Sequence, residues 1–392
     1  MFLEAAGYGI AAPTLPLLAR SMGLSAERLG FLFGLYALVG MILVLPFGLA
    51  ADRWGRKRLL IVGFAALTCS SVGYVFATSF AWLVLARSAQ GIGGTAIWVA
   101  SLTMGGDLSA RESVGREVSW ITGAWSLGFL LGPALGGVGN LALPYVTYAS
   151  ICLVALVLTL FNLHETQARA INLSWSSFRR IIALPEVQCS SLATLSLAFY
   201  YGSFDAFVPW LLDGRGMSRP EIALLFSVLA LPSVILPRVV GQAADRMGDR
   251  SILNFGLPTN GLLALLFLEV IATFPLWLGF LALGVTEVAI YIPAIAMLQR
   301  VVENRGRGTA MAIHILAFSV GFVLGPVVSG HAIQRTSYQG VFLVMGLTMF
   351  ASLVAGNALL ALRRPRPRPG AREQAQETPA EQVPGFAEVE RQ

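Results

Sequence analysis

Charge is the scarcest commodity in this chain. Only 12% of its 392 residues are Asp, Glu, Lys or Arg, against about 25% in a soluble domain. With 56% hydrophobic residues and a mean hydropathy of +0.72, a water-soluble globule is excluded. There are three histidines, and one lysine stands against 26 arginines; that arginine bias fits a GC-rich bacterial gene. G-x-S-x-G, H-E-x-x-H and P-loop patterns are all missing, so an intramembrane enzyme is the disfavoured reading and no nucleotide site is offered. The three cysteines, Cys69, Cys152 and Cys189, fall inside apolar runs. An odd number of buried thiols builds no disulfide framework, and they read as packing residues. Also absent is the ten-residue apolar/polar alternation of an outer-membrane barrel, so any spanning segment is a helix that satisfies its own backbone.

What remains is long apolar runs. A bilayer core of about 30 Å takes roughly 20 apolar residues per helix, and twelve runs meet that length: 1–20, 29–51, 59–79, 81–104, 117–140, 143–163, 189–212, 220–243, 251–273, 275–298, 307–331 and 337–362. The expected fold is therefore an all-α integral membrane protein with twelve spans. The first run lacks a basic leader and a cleavage site and reads as a retained helix, with a start codon further upstream left open.

The net charge of +6 does not point to nucleic acid, because the bases are placed asymmetrically. Of 27 Lys+Arg, 20 lie in alternate loops and tails (53–58, 111–116, 169–180, 246–250, 300–307, 363–391), and five in the others (Arg20, Arg28, Arg215, Arg219, Arg335). By the positive-inside rule this places both termini in the cytoplasm of a multi-pass protein in the inner (plasma) membrane. Arg87 and Arg238 are the two bases inside spans; Arg238 is expected to snorkel to the cytoplasmic surface.

The chain also repeats itself. GLAADRWGRKR (48–58) returns as GQAADRMGDR (241–250), so an offset of 193 lays Gly48, Asp52, Arg53 and Gly55 on Gly241, Asp245, Arg246 and Gly248. AWSLGFLLGPALGG (124–137) falls on AFSVGFVLGPVVSG (317–330) with the same offset, as Gly91 does on Gly284 and Pro16 on Pro209. Two six-helix halves follow, 1–163 and 189–362, joined by a weakly amphipathic linker at 164–188 that is expected at the inner membrane surface. Parallel repeats of this kind place a substrate site at mid-membrane and work by rocking. The Pro-rich tail, 363–392, carries too little apolar surface to fold and reads as disordered, its first basic cluster suited to anionic lipid headgroups.

GLAADRWGRKR resembles the charged loop signature of the major facilitator superfamily. LEAAGYGIAAPTLPLL (3–18) is similar to the first-helix pattern of twelve-helix drug and tetracycline efflux proteins. ARSAQGIGG (86–94) resembles the fourth-helix motif R-x-x-Q-G-x-G, and GFLLGPALGG (128–137) the fifth-helix motif of proton-driven antiporters. The resemblance covers residues 1 to 362. It implies that Asp52 latches onto the start of the eleventh span near Gly306 to Gly308, and Asp245 onto the fifth near Glu117. With Gly48, Arg53, Gly55, Arg56, Arg246 and Gly248 these form a cytoplasmic gate; the alternative is a basic loop that only fixes topology. Asp249 stands where Arg56 stands in the first copy, so the two loops need not gate equally. Gly128, Gly132, Gly136 and Gly137 have small-x-x-x-small spacing around the helix-bending Pro133. Tight packing alone would account for them, and the resemblance adds a seal against proton leak.

Glu4, Arg87, Asp205 and Glu287 fall in the first, fourth, seventh and tenth spans, the ones that line the central cavity if the resemblance holds. A mid-bilayer charge costs about 2.5–3.5 kcal/mol on insertion scales, and desolvation favours the protonated form of a carboxyl. That is the chemistry of a proton carrier. At 1.5 Å per residue Asp205 and Arg87 fall roughly 10 Å below the outer surface, Glu287 near the middle and Glu4 towards the inner side, so Glu287 is the leading carrier. Glu4 could equally be interfacial, Asp205 an ion-pair partner of Arg238 about 15 Å deeper, and Arg87 a structural residue bound to carbonyls. In the resembled motif Arg87 and Gln90 organise proton transfer, with Arg87 acting on Glu4 or Asp205. Tyr8, Trp98, Tyr200 and Tyr291 suit stacking and cation–π contact with substrate, though most such residues are packing or belt residues. Trp82 and Trp277 fit the interfacial belt.

The expected function is proton-driven export of small, mostly apolar or amphipathic compounds. The partners are a small-molecule substrate, protons and the lipid bilayer, the protein acts as a monomer, and no cofactor is needed beyond the proton gradient. The alternative is a proton-coupled uptake symporter or a dedicated metabolite exporter on the same fold.

Overall fold

Each of the twelve apolar runs forms helix in the computed structural model, which describes residues 1–108, 114–165, 175–269, 275–302 and 307–361. The first half holds α1 (Phe2–Ser21), α2 (Ala26–Trp54), α3 (Arg56–Val75), α4 (Phe80–Leu108), α5 (Val114–Gly136) and α6 (Leu143–Asn162). The short α7 (Trp175–Ile182) lies in the linker. The second half holds α8 (Pro185–Gly214), α9 (Arg219–Ile235), α10 (Pro237–Met247), α11 (Asp249–Leu265), α12 (Leu276–Val301), α13 (Arg307–Arg335) and α14 (Tyr338–Ala361). No strand occurs among the described residues.

One expected span is broken. The run 220–243 divides into α9 and α10, bent by 52°. Pro237 opens α10 and Pro232 lies one turn upstream, and proline removes a backbone donor and crowds the preceding turn. The equivalent α2 stays continuous through Pro46. Among the described residues, by length and apolar composition alone, seven helices qualify as spans and the bent pair makes an eighth. α8, which carries Asp205 together with Ser190, Ser191, Thr194, Ser196 and Ser203, is among the spans that composition alone undervalues. The expected tail at 363–392 and the linker segment 166–174 lie outside the described residues.

The halves repeat in space as in sequence. A Cβ added at Gly128 would meet the carbonyl of Phe2, and one at Gly132 that of Ala6, so these glycines let α5 press against α1. In the second half Gly321 and Gly325 press α13 against the carbonyls of Leu195 and Phe199 on α8, the same contacts moved by 193 residues. Gly91 touches Tyr36 and Val39 of α2, and Gly284 touches Leu229 and Pro232 of α9, again at that offset.

Contacts between the halves gather at one end of the bundle. There α2 approaches α13 closely at Gly30 and Pro326 and at Gly34 and Val323. Gly137 after α5 meets Ala223 of α9. Arg20 pairs with Asp213 at 2.7 Å, the Arg219 guanidinium donates to the Gly139 carbonyl, and His331 stands 3.5 Å from Glu27. At the opposite end a Cβ at Gly48 or Gly241 would meet nothing within 4 Å. Among the described residues the bundle is pinched shut at the Arg20 end and splayed at the Asp52 end.

Candidate functional site

Arg87 is the centre of the site. It is 0% exposed on α4, where an uncompensated guanidinium would be very costly. Its Nη1 donates to Gln90 at 2.7 Å and its Nε to the Leu32 carbonyl at 3.2 Å. Three rings face its Cζ: Phe33 and Tyr36 at 4.9 Å and Tyr8 at 5.7 Å. Desolvated cation–π contacts of this kind contribute about 2 kcal/mol. Gln90 is held in turn by the Tyr74 hydroxyl at 2.9 Å and donates to the Gly7 carbonyl at 3.1 Å, so its orientation is set by α1 and α3.

Two of the rings around Arg87 carry hydroxyls that reach carboxyls. Tyr36 donates to Glu4 at 2.8 Å, and Trp125 of α5 donates to the other oxygen of Glu4 at 2.9 Å. Tyr8 donates to Asp205 at 2.6 Å, and this bond crosses from one half to the other. Asp205 therefore has Tyr8 as its partner, with Arg87 behind it acting through space. Arg238 is exposed near the start of α10, away from this cluster. Glu287 on α12 lies within the electrostatic reach of Asp205 and beside the Tyr201 hydroxyl, while its Oε1 has no hydrogen-bond partner.

Glu4 is not at the inner rim where rise per residue had put it. A Cβ at Gly94 would stand 3.5 Å from its Oε1, and residue 94 is the repeat equivalent of Glu287. The missing side chain at 94 leaves the room, and Tyr36 and Trp125 supply the hydrogen bonds that a buried carboxylate requires. Each half thus holds one carboxyl at the same level, delivered by α1 in the first and α12 in the second. Glu4, Asp205 and Glu287 are 7%, 2% and 5% exposed, and of these three buried carboxyls Asp205 is the one that Arg87 reaches through space.

Aromatic surface completes the lining. Trp125 stacks on Phe129 at 5.4 Å and meets Trp98 edge-on at 6.3 Å. Tyr291, one turn from Glu287, lies 5.8 Å from the ring of His314, whose Nδ1 is 3.1 Å from the Thr194 hydroxyl. Tyr200 is fully buried and packs on Phe204 at 5.2 Å; its neighbour Tyr201 is the one beside Glu287.

The charged loops lie at the splayed end, each turning on a left-handed glycine: Gly55 at φ 95° and Gly248 at φ 86°. A side chain there would be strained. Asp52 accepts from Arg56 at 3.1 Å, and Arg56 also donates to the Ala51 carbonyl at 2.6 Å. Asp245 pairs with Arg300 of α12, which also stands 3.4 Å from Asp249. Both loop acids thus find partners inside their own halves in this conformation. The side chains of Glu117 and of 306–308, expected as latch positions, lie outside the described residues. Arg53 and Arg246 are exposed beside them. Gly136 completes the α5 contact, 3.1 Å from the Ile10 carbonyl through an added Cβ, and Pro133 abuts Gly9.

Sequence reasoning missed Tyr36, Trp125, Tyr201, His314 and Glu165. Tyr201 had a signal, because the 193-residue offset lays it on Tyr8. Glu165 caps the first turn of α3 through the backbone of Arg56 at 2.6 Å and Lys57 at 3.2 Å, a contact 109 residues long that no local pattern announces.

A membrane bundle of twelve spans, built from two like halves with interacting acids buried between them, is the architecture of a secondary transporter. The sequence profile of the Major Facilitator Superfamily matches residues 1–217 and again 190–390, and the chain belongs to that superfamily, whose members are transporters and not enzymes. It is 22% identical to Multidrug resistance protein 1 of Bacillus subtilis (strain 168), over 84% of this chain and 87% of that protein. It is 26% identical to Tetracycline resistance protein, class E, of Escherichia coli, over 89% and 90%. Among solved structures, a bacterial homolog of the human lysosomal transporter Spinster, inward-facing and unoccupied, superposes with a TM-score of 0.75 at 16% identity, covering 92% of this chain and 93% of that one.

Proposed function

We propose that this protein is a proton-coupled exporter of small, mostly apolar or amphipathic compounds, exchanging substrate for protons by alternating access. The observation that carries the reading is the surplus of acid between the halves: Asp205 and Glu287 act on each other with Arg87 as the neighbouring guanidinium, and Glu4 is buried beside them. Ionised together in a water-poor site they repel, so the site favours neutralisation by protons or by a cationic group. A carrier that must be neutralised by one or the other exchanges them. The aromatic lining at Trp98, Trp125, Phe129 and Tyr291 offers apolar and cation–π surface to the rest of the substrate. The efflux relatives support export over uptake.

In this reading Glu287 carries a proton, and Asp205 and Glu4 share the task. Arg87, held by Gln90, sets their charge balance. The splayed end with Asp52 and Asp245 faces the cytoplasm, as the positive-inside bias has it, and the structure is the inward-open state of a monomer in the inner membrane. The proton gradient is the only driving agent required.

The test is a proton-release screen in everted membrane vesicles acidified inside, followed with a pH-gradient dye while dyes, antibiotics and metabolites are added outside. One or more compounds should restore the dye signal in wild type and fail to do so in Glu287→Gln at equal membrane abundance. Undiminished coupled transport by Glu287→Gln would remove the carrier assignment. Silence across the panel, with a control exporter responding, would favour uptake.

A further inference from the structure

The buried bond between Tyr8 and Asp205 differs in kind from the ion pairs between the halves. Arg20–Asp213 and His331–Glu27 are well exposed, with side chains 39% to 56% accessible, and exposed pairs of this sort hold little. Tyr8 and Asp205 meet in the dry middle of the bundle at 2.6 Å, where a hydroxyl donating to a carboxylate makes a strong, short bond and donating to a neutral carboxyl makes a much weaker one. The strength of that contact therefore reports the charge on Asp205.

The tyrosine is also rigidly aimed. Its ring packs on Tyr36 at 5.5 Å and Phe129 at 6.1 Å from its own half, and on Phe322 of α13 at 5.8 Å from the other. Arg87 lies over its face. The repeat offers no second copy of the pair: the equivalent of Asp205 is Ala12, and the equivalent of Tyr8 is Tyr201, which serves Glu287 within a single half.

We propose that Tyr8 is the positioning residue that makes rocking conditional on the charge of Asp205, holding the halves in this conformation while Asp205 is ionised and releasing them when a proton or a cationic substrate neutralises it. The inference rests on the exchange function proposed above and supplies its rule: an empty, ionised site stays where it is, so neither protons nor substrate leak through alone. The groups facing Asp205 are Tyr8 on α1, Arg87 on α4, Glu287 on α12, and Tyr200 and Tyr201 on its own α8. Tyr36 and Glu4 stand behind Tyr8.

The experiment measures conformation rather than transport. The full chain, purified without substrate and with Cys69, Cys152 and Cys189 replaced, carries spin labels at Ser25 and Gln334 on the shut end or at Leu49 and Met247 on the splayed end. Double electron–electron resonance is then recorded from pH 5 to pH 9. Wild type should favour the short shut-end distance at high pH and lose it as pH falls. Tyr8→Phe should lower the ratio of shut to parted shut-end distances at high pH by about tenfold or more, the worth of one charge-assisted hydrogen bond, and flatten the pH profile. Asp205→Asn should resemble low-pH wild type at every pH, and adding Tyr8→Phe to it should change nothing further. A folded Tyr8→Phe with the wild-type profile, or additive effects of the two substitutions, would overturn the proposal. Vesicle transport separates the two ideas: an intact Tyr8-dependent pH response without coupled transport refutes the exporter reading alone, whereas coupled transport with an unaltered Tyr8→Phe profile refutes the latch alone.

Discussion

Arg87 has three aromatic neighbours, one carbonyl and one amide, and no carboxylate in direct contact. It influences two carboxyls through the tyrosines that it stacks against, each of which ends in a hydroxyl bound to an acid. Such a role needs a flat, delocalised cation that can be sandwiched and still donate in its own plane. Arg87→Lys is expected to keep the charge and lose the geometry, cutting exchange by about tenfold or more at wild-type abundance in the membrane; transport rates normalised to protein level would check it. The acids and this arginine were legible in the sequence because a charge inside an apolar run is conspicuous. Tyr36, Trp125 and Tyr201 were hidden because an aromatic residue in the same run looks like any other packing residue until its hydroxyl or indole N–H is seen to find a partner.

The glycines of α5 and the glycines of the loops look alike in sequence and differ in circumstance. Gly132 already touches α1: a Cβ there would stand 2.6 Å from the Ala6 carbonyl, and overpacking of this sort costs about 1–3 kcal/mol. Gly132→Val should therefore lower the thermal unfolding temperature of the purified protein. Gly48 has open space around it among the described residues, so Gly48→Val should unfold at the wild-type temperature yet slow exchange if, as proposed, the splayed end closes once per cycle. Wild-type exchange in Gly48→Val would mean that this face of α2 never meets the other half. Helix positions followed from run length alone because the bilayer dictates it. The break between α9 and α10 did not, since Pro46 in α2 is tolerated without one, whereas the broken span carries both Pro232 and Pro237.

For the molecule as a whole, the repeat in sequence disclosed the two halves and their packing, whereas the conformation could not be read from it. In the proposed cycle the same residues build both ends of the rocking motion, and the structure holds one of them. Tying the shut end should trap it. With the native thiols replaced, Glu27→Cys and His331→Cys joined by a short thiosulfonate cross-linker are expected to stop exchange and to leave the splayed end accessible to substrate, with recovery on reduction. Continued exchange in the cross-linked protein would show that this end does not need to part.

The press of α5 on α1 bears on how the chain comes to be made. α1 is the least apolar of the seven clear spans, and most of it is buried inside the protein. It is a helix shaped for protein neighbours and poorly suited to lipid. Its main cover emerges only after α5 ends at Gly136, more than a hundred residues later and roughly ten seconds at ~5–20 residues per second. Until then the membrane must shelter a helix that carries Glu4, whose carboxyl still waits for the indole of Trp125 on that same α5.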